Sequence, residues 1–311
     1  MKLNKILLSK LILIFFLIST SYSLENKIMF KIDRDIITSL DIQNESRYLS
    51  ALNPKIMELN DTKIFEISKN SLIREKIKKI EILRNNNNAE LNDDFLNKIV
   101  ETRYKSIGLK NRDEFIAYLK NFNIEINTIV KKIEIEALWN QLIYFKFSQN
   151  IKINKENLKK KIEKNKNLSE KKELFLKEIV FNIEGGSNLD EKYSLIKKSI
   201  LDTGFENTAS LYSISDSAKT GGILGWINEN SLDSKINEAL FGLNLKEFSK
   251  PITLPGGFLI LQISDKRIVK EKIDIDKELK KLINNETNRQ LNQFSNIYFN
   301  KVKQEVSIHE I

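Results

Sequence analysis

Along much of this 311-residue chain, apolar residues return every three or four positions. Ile73, Ile77, Ile80 and Leu83 keep that spacing, and Leu96, Val100 and Ile107 keep it less strictly. Phe115, Ile116 and Leu119 predict a short amphipathic turn. Ile126, Val130, Ile133 and Ala137, continuing through Leu138, Leu142 and Phe145, predict the longest helix. Leu279, Ile283, Leu291, Phe294, Tyr298 and Val302 predict a final one. A period near 3.6 puts one stripe of each helix on a core. Lys27 to Ile32 reads instead as a strand. Asp35 to Asp41 follows it, with Thr38 or Ser39 able to cap the next helix. Asn85–Asn88 reads as a loop.

The pattern changes after residue 172. Of ten glycines, only Gly108 precedes residue 185, and the other nine fall between 185 and 257. Glycine serves turns that need positive φ, so this part is expected to be compact and turn-rich. Leu174 to Ile183 reads as a strand ended by Gly185-Gly186. Asp190–Thr203 reads as a helix with Tyr193, Ile196, Ile200 and Leu201 on one side and Gly204 as its stop. Phe205–Leu211 gives a second short helix. Leu232, Ile236, Ala239, Leu240 and Leu243 give a third, and Gly256 to Ile263 a closing strand. Strand, helices, short strand, helix and strands make a small α+β unit over 173–267. The Lys-rich stretches 150–172 and 265–275 read as linkers that permit motion.

Charge and composition mostly exclude. The net charge is +9, and three of those charges are Lys2, Lys5 and Lys10, ahead of the apolar run Leu11–Ile18. Ser21 and Ser23 then offer small residues for signal cleavage after Ser23. The run is short for a membrane span, but an uncleaved anchor is the alternative. Elsewhere acidic residues interleave with basic ones, which argues against nucleic acid. The chain has no cysteine and one histidine, His309. Thiol chemistry, Ser–His–Asp catalysis and multi-histidine zinc sites are therefore excluded, and no cofactor or metal is expected.

One stretch carries a resemblance. The run from Tyr212 to Ile227 (YSISDSAKTGGILGWI), a helix ending in ALFGL, and FSKPITLPGGFLILQISDKR resemble the parvulin family of peptidyl-prolyl isomerases over about 95 residues. The leader, the opening strand with Asp35-Ile36-Ile37-Thr38, and the helical flanks resemble the SurA family of periplasmic chaperones. The fold class this implies is α+β: a mostly helical chaperone domain with one parvulin-like module. The domains expected are a signal peptide at 1–23, a helical chaperone domain at 24–172, the isomerase module at 173–267, and a C-terminal helix at 268–311 packing on the chaperone domain. The resemblance implies a periplasmic monomer that binds unfolded polypeptides, especially outer-membrane proteins. Neither nucleic acid nor lasting membrane insertion after signal removal is expected.

Rotating an X–Pro bond needs no covalent chemistry, only an apolar seat for the ring and polar groups favouring the twisted amide. The resemblance maps the seat onto Leu232, Ile236, Phe241, Phe258 and Leu259, and the polar wall onto Ser215, Asp216 and Glu178. Core packing is the plain alternative for the first set, and a solvated turn for Ser215 and Asp216. Parvulins usually carry histidines where this chain has Glu178 and Leu259, and Ile223 replaces a common acid. Weak isomerase activity, with client holding as the main task, is the resulting expectation. A genuine foldase and a membrane-tethered quality-control factor are the competing readings. Trp226 is expected in the core, and Trp139 in either core or groove.

Overall fold

The computed structural model describes residues 26–85, 91–164, 170–183, 188–270 and 274–311. The leader, most of the Asn85–Asn88 tract and the Gly185-Gly186 stop lie outside them.

A helical body opens with strands β1 (Ile28–Ile32) and β2 (Asp35–Thr38), paired antiparallel across a turn at Asp33. Thr38 then caps α1 (Ser39–Leu52). Its hydroxyl accepts from the Asp41 amide, while Asp41 accepts from the Thr38 amide, so two otherwise orphaned donors are satisfied. Helices α2 (Asp61–Asn85), α3 (Asp93–Ser106), α4 (Arg112–Lys120), α5 (Ile126–Phe147) and α6 (Lys155–Lys164) follow. After the module, α10 (Ile275–Glu305) returns to pack on α6, α5 and α2. The last strand, β7 (Ile308–Glu310), pairs with β1, giving the order β2-β1-β7.

Two expectations need correcting here. The longest helix is α10, at 31 residues against 22 for α5. Asn284 to Arg289 interrupts its apolar stripe, yet no Gly or Pro stops the helix between Ile275 and Glu305. The supposed linkers are also structured. Helix α6 occupies part of 150–172, and a long two-strand ladder takes in residues 170–172 and 265–270. In that ladder β3 (Glu170–Phe181) pairs with β6 (Gly257–Lys270) from Glu170↔Lys270 to Phe181↔Phe258. Across the ladder Arg267 meets Glu173 at 2.6 Å.

One body core joins Phe30, Ile32, Leu72, Ile77, Trp139, Phe299 and Val302 from β1, α2, α5 and α10. Trp139 is fully buried, packs on Tyr298 and Phe299, and donates to Ser295 Oγ at 2.8 Å. It therefore belongs to the core. A second core gathers Tyr48, Leu49, Val100, Phe115, Leu119 and Ile133.

The module contains an antiparallel sheet of order β4-β3-β6-β5, with β4 at Ile223–Asn228 and β5 at Ile252–Leu254. Helices α7 (Leu189–Thr203) and α8 (Phe205–Tyr212) cover one face, packing Ile196, Ile200, Phe205 and Ala209 on Ile179, Phe181 and Ile260. Gly204, at φ 83°, ends α7 as expected, but Leu201 is exposed rather than on the packed side. The other face holds Leu174, Leu176, Val180, Leu259, Leu261 and Ile263 with Leu232 and α9 (Ser234–Leu240). Adjacent residues of one strand point to opposite faces, which is why Leu259 and Ile260 serve different cores. Trp226 is only half-buried, edge-on to Phe175 and beneath the Arg267 guanidinium at 4.1 Å.

Candidate functional site

The polar residues singled out from the sequence meet at the central loop of the module, between α8 and β4. Ser215 opens a short 3-10 turn over Asp216–Thr220. Gly221 and Gly222, both at positive φ, bring the chain back against β3. Only glycine fits at the second position: a Cβ on Gly222 would lie 2.2 Å from the Glu178 carbonyl oxygen. The same approach lets the Glu178 amide donate to the Gly222 carbonyl at 2.7 Å.

That closeness sets the side-chain geometry. The Ser215 hydroxyl donates to Glu178 Oε1 at 2.6 Å, and the Ser217 hydroxyl donates to the same oxygen at 2.8 Å. Burial pushes the Glu178 carboxyl up, and the two serines only partly offset that by stabilising the anion. Asp216 turns away from this group. It pairs with Lys78 of α2 at 2.6 Å. Burial alone would raise Asp216, but Lys78 and Lys219, with Arg74, bring it down to about 2.

The apolar set divides. Leu232, Ile236 and Leu259 share one cluster, on the sheet face that also carries Leu176 and Val180. Glu178 lies between those two and so shares their face. Leu232 sits just before α9 rather than on it. Phe258 points to the opposite face, stacked on Phe181 at 5.6 Å between ring centres. Phe241, expected behind the pocket, follows the end of α9 and is 89% exposed. Phe258 thus belongs to a different cluster from Leu232 and Leu259, and Phe241 to neither.

Several participants escaped the sequence reading. Ser217 completes the hydroxyl pair, and its place two residues beyond Ser215 in a turn was the available signal. The body also grips the loop. Arg74 donates to the carbonyls of Ser213 at 2.9 Å and Ser215 at 3.2 Å. Lys219 pairs with Glu136 of α5, which also takes Arg103. Asn53 donates to Ser210, and Lys55 reaches Glu206. Arg74 and Lys78 stand one helical turn apart beside the buried Ile77, and two cations on an apolar face are a readable sign of buried partners.

Between body and module lies a cleft of about 580 Å³. Its walls come from α2, the end of α10, β7, α8 and the central loop, and include Ile73, Ile77, Leu211, Ile214 and Phe299. Among the described residues no His, Cys, Asp and Glu cluster is suited to a metal. None of the helices described is long and apolar enough to cross a membrane. A serine pair on a raised carboxyl, beside an apolar cluster, can exchange hydrogen bonds with a bound amide. It offers no activated nucleophile, because no base with an imidazole's range stands beside it.

Residues 186–265 match the rotamase family, described as a PPIC-type PPIASE domain. Chaperone SurA of Nitrosospira multiformis is 38% identical over 72 residues, which is 22% of this chain and 16% of that protein. Chaperone SurA of Methylobacillus flagellatus is 34% identical over 94 residues, 30% of this chain and 20% of that protein. The matched stretches thus span a fifth or less of those chaperones. A solved structure described as one of two SurA-like chaperones of Campylobacter jejuni, the virulence factor PEB4 and the periplasmic protein Cj1289, covers 92% of this chain and 99% of its own. It shows 19% identity and a TM-score of 0.34. The chain carries a PPIC-type module and is similar to SurA chaperones over about that stretch.

Proposed function

We propose that this protein is a periplasmic folding factor that holds unfolded polypeptides, outer-membrane proteins above all. In this reading the helical part, residues 24–172 with 268–311, supplies the holding surface. The 173–267 module is retained chiefly as a binding element with weak peptidyl-prolyl isomerase activity. The observation that carries the reading is the rotamase match over a site whose polar wall is two serines on one carboxylate. Leu232, Ile236 and Leu259 would seat a proline ring, with Ser215, Ser217 and Glu178 contacting the amide. Asp216 has a different part, as the anchor that ties the loop to α2.

A thousandfold acceleration of X–Pro rotation requires about 4 kcal/mol of transition-state stabilisation. Two hydroxyls already committed to Glu178 at 2.6 and 2.8 Å have little left to give a twisted amide. Two assays on the purified protein test this. It should delay aggregation of a denatured outer-membrane barrel at near-stoichiometric ratio. In a proline-limited refolding assay it should accelerate the slow phase by less than about tenfold, or about 1.4 kcal/mol. Strong catalysis abolished by Leu232→Ala or Ser215→Ala would make it a true foldase instead.

A further inference from the structure

Resting on that reading, we infer that the cleft between body and module selects extended client segments that carry an acidic side chain among apolar ones. The cleft has apolar walls at Ile73, Leu211 and Ile214, and its 580 Å³ is in the range that buries a short stretch of chain. Its charge is one-sided. Lys63, Arg74, Lys192, Lys219 and Lys303 line it, and Glu66 is the one acidic residue among the described lining. Glu66 is already answered by Lys69 at 2.5 Å, Arg74 is spent on loop carbonyls, and Lys219 on Glu136.

Two of the remaining cations flank the cleft. Lys63 stands on α2 and Lys192 on α7, on opposite walls, and both are partly buried. Neither has an ion-pair partner among the described residues. Lys192 instead holds its ammonium 5.5 Å from the Tyr212 ring centre. A cation kept over an aromatic face beside an apolar wall is partly desolvated, so an incoming carboxylate gains more there than in open water. A segment with lysine at the same place would meet like charge, which makes the cleft discriminating as well as sticky.

The test uses three fluorescent peptides, acetylated and amidated so that no terminal carboxylate is present. They share an apolar extended sequence and differ only in two central Glu, Gln or Lys residues. Fluorescence anisotropy with the purified protein at low salt should show the Glu peptide binding about tenfold tighter than the Gln peptide, and the Lys peptide weakest. The gap should narrow at 0.5 M salt. Lys63→Glu with Lys192→Glu should reverse the order. Lys63→Gln with Lys192→Gln should merely flatten it, with an unchanged thermal melt showing that the fold is kept. Equal binding of all three peptides, or an order that survives the double charge reversal, overturns the inference while leaving client holding intact. If no peptide binds and barrel aggregation is not delayed, both fall together.

Discussion

Replacing Glu206 with glutamine removes a carboxylate that ties three parts of the molecule together. Glu206 begins α8, accepts from Lys177 of β3 at 2.6 Å, and accepts from Lys55 of the body at 2.9 Å. Its side chain is 15% exposed. Burial would raise its pKa, but the hydrogen bonds from the two lysines and a backbone amide outweigh that and hold it at about 2, against an ordinary 4.5. A folded-state value below the unfolded one gives stability that is complete above about pH 5.5 and is lost as pH falls toward 2. The shift corresponds to about 3 kcal/mol at pH 7 and roughly 1.4 kcal/mol at pH 3. Urea unfolding of both proteins at several pH values measures this. Glu206→Gln should cost about 2–3 kcal/mol at pH 7, and the deficit should shrink by about half at pH 3. Lys55→Met should cost under about 1 kcal/mol, since Lys55 is 53% exposed, and Lys177→Met more. A deficit below 0.5 kcal/mol at pH 7, or one that does not change with pH, would refute the argument.

Gly222→Ala should destabilise the protein by about 3 kcal/mol or more, because its methyl meets backbone rather than a movable side chain; thermal melting should show a fall of several degrees. Glu178→Gln should leave the melting temperature at pH 7 equal or higher, because burial already disfavours the anion and the amide oxygen can still accept from Ser215 and Ser217. A clear fall would mean that the ionised carboxylate holds the loop. Phe241→Ala should change stability by less than about 0.5 kcal/mol and leave isomerase activity untouched, as expected of a ring that touches little.

The helices of the body are legible in the spacing of Ile73, Ile77 and Ile80 and of Ile126, Val130 and Ile133, because their stripes are continuous. The final helix is legible across Asn284 to Arg289, but its apolar positions run only from Leu279 to Val302 and do not mark its ends at Ile275 and Glu305. Glu178 and Ser215 could be placed together by resemblance, and the glycine pair explains how they meet. The resemblance groups Phe258 with Leu259, but neighbours in a strand point to opposite faces. The composition of the Lys-rich stretches suggests linkers, but it does not reveal a lysine's partner about 100 residues away. Lys171, bonded to Glu278 at 3.0 Å, is one such case. Motion between body and module was expected on that basis. Lys78–Asp216, Lys219–Glu136 and Lys55–Glu206 instead pin the two together through buried or half-buried ion pairs. Breaking the most buried of these by removing one partner leaves an uncompensated charge, a cost of about 3–5 kcal/mol.

The middle place of β1 in its small sheet bears on how the chain assembles as it arrives. Phe30 and Ile32 emerge early, but their second neighbour, β7, lies about 280 residues later. The module's own ladder closes over a far shorter loop and can be finished first. Until residues 308–310 dock, β1 shows one bare edge to solvent, an invitation to the wrong strand. A newly delivered copy of this protein would thus pass through a period in which it needs the kind of protection it is proposed to give.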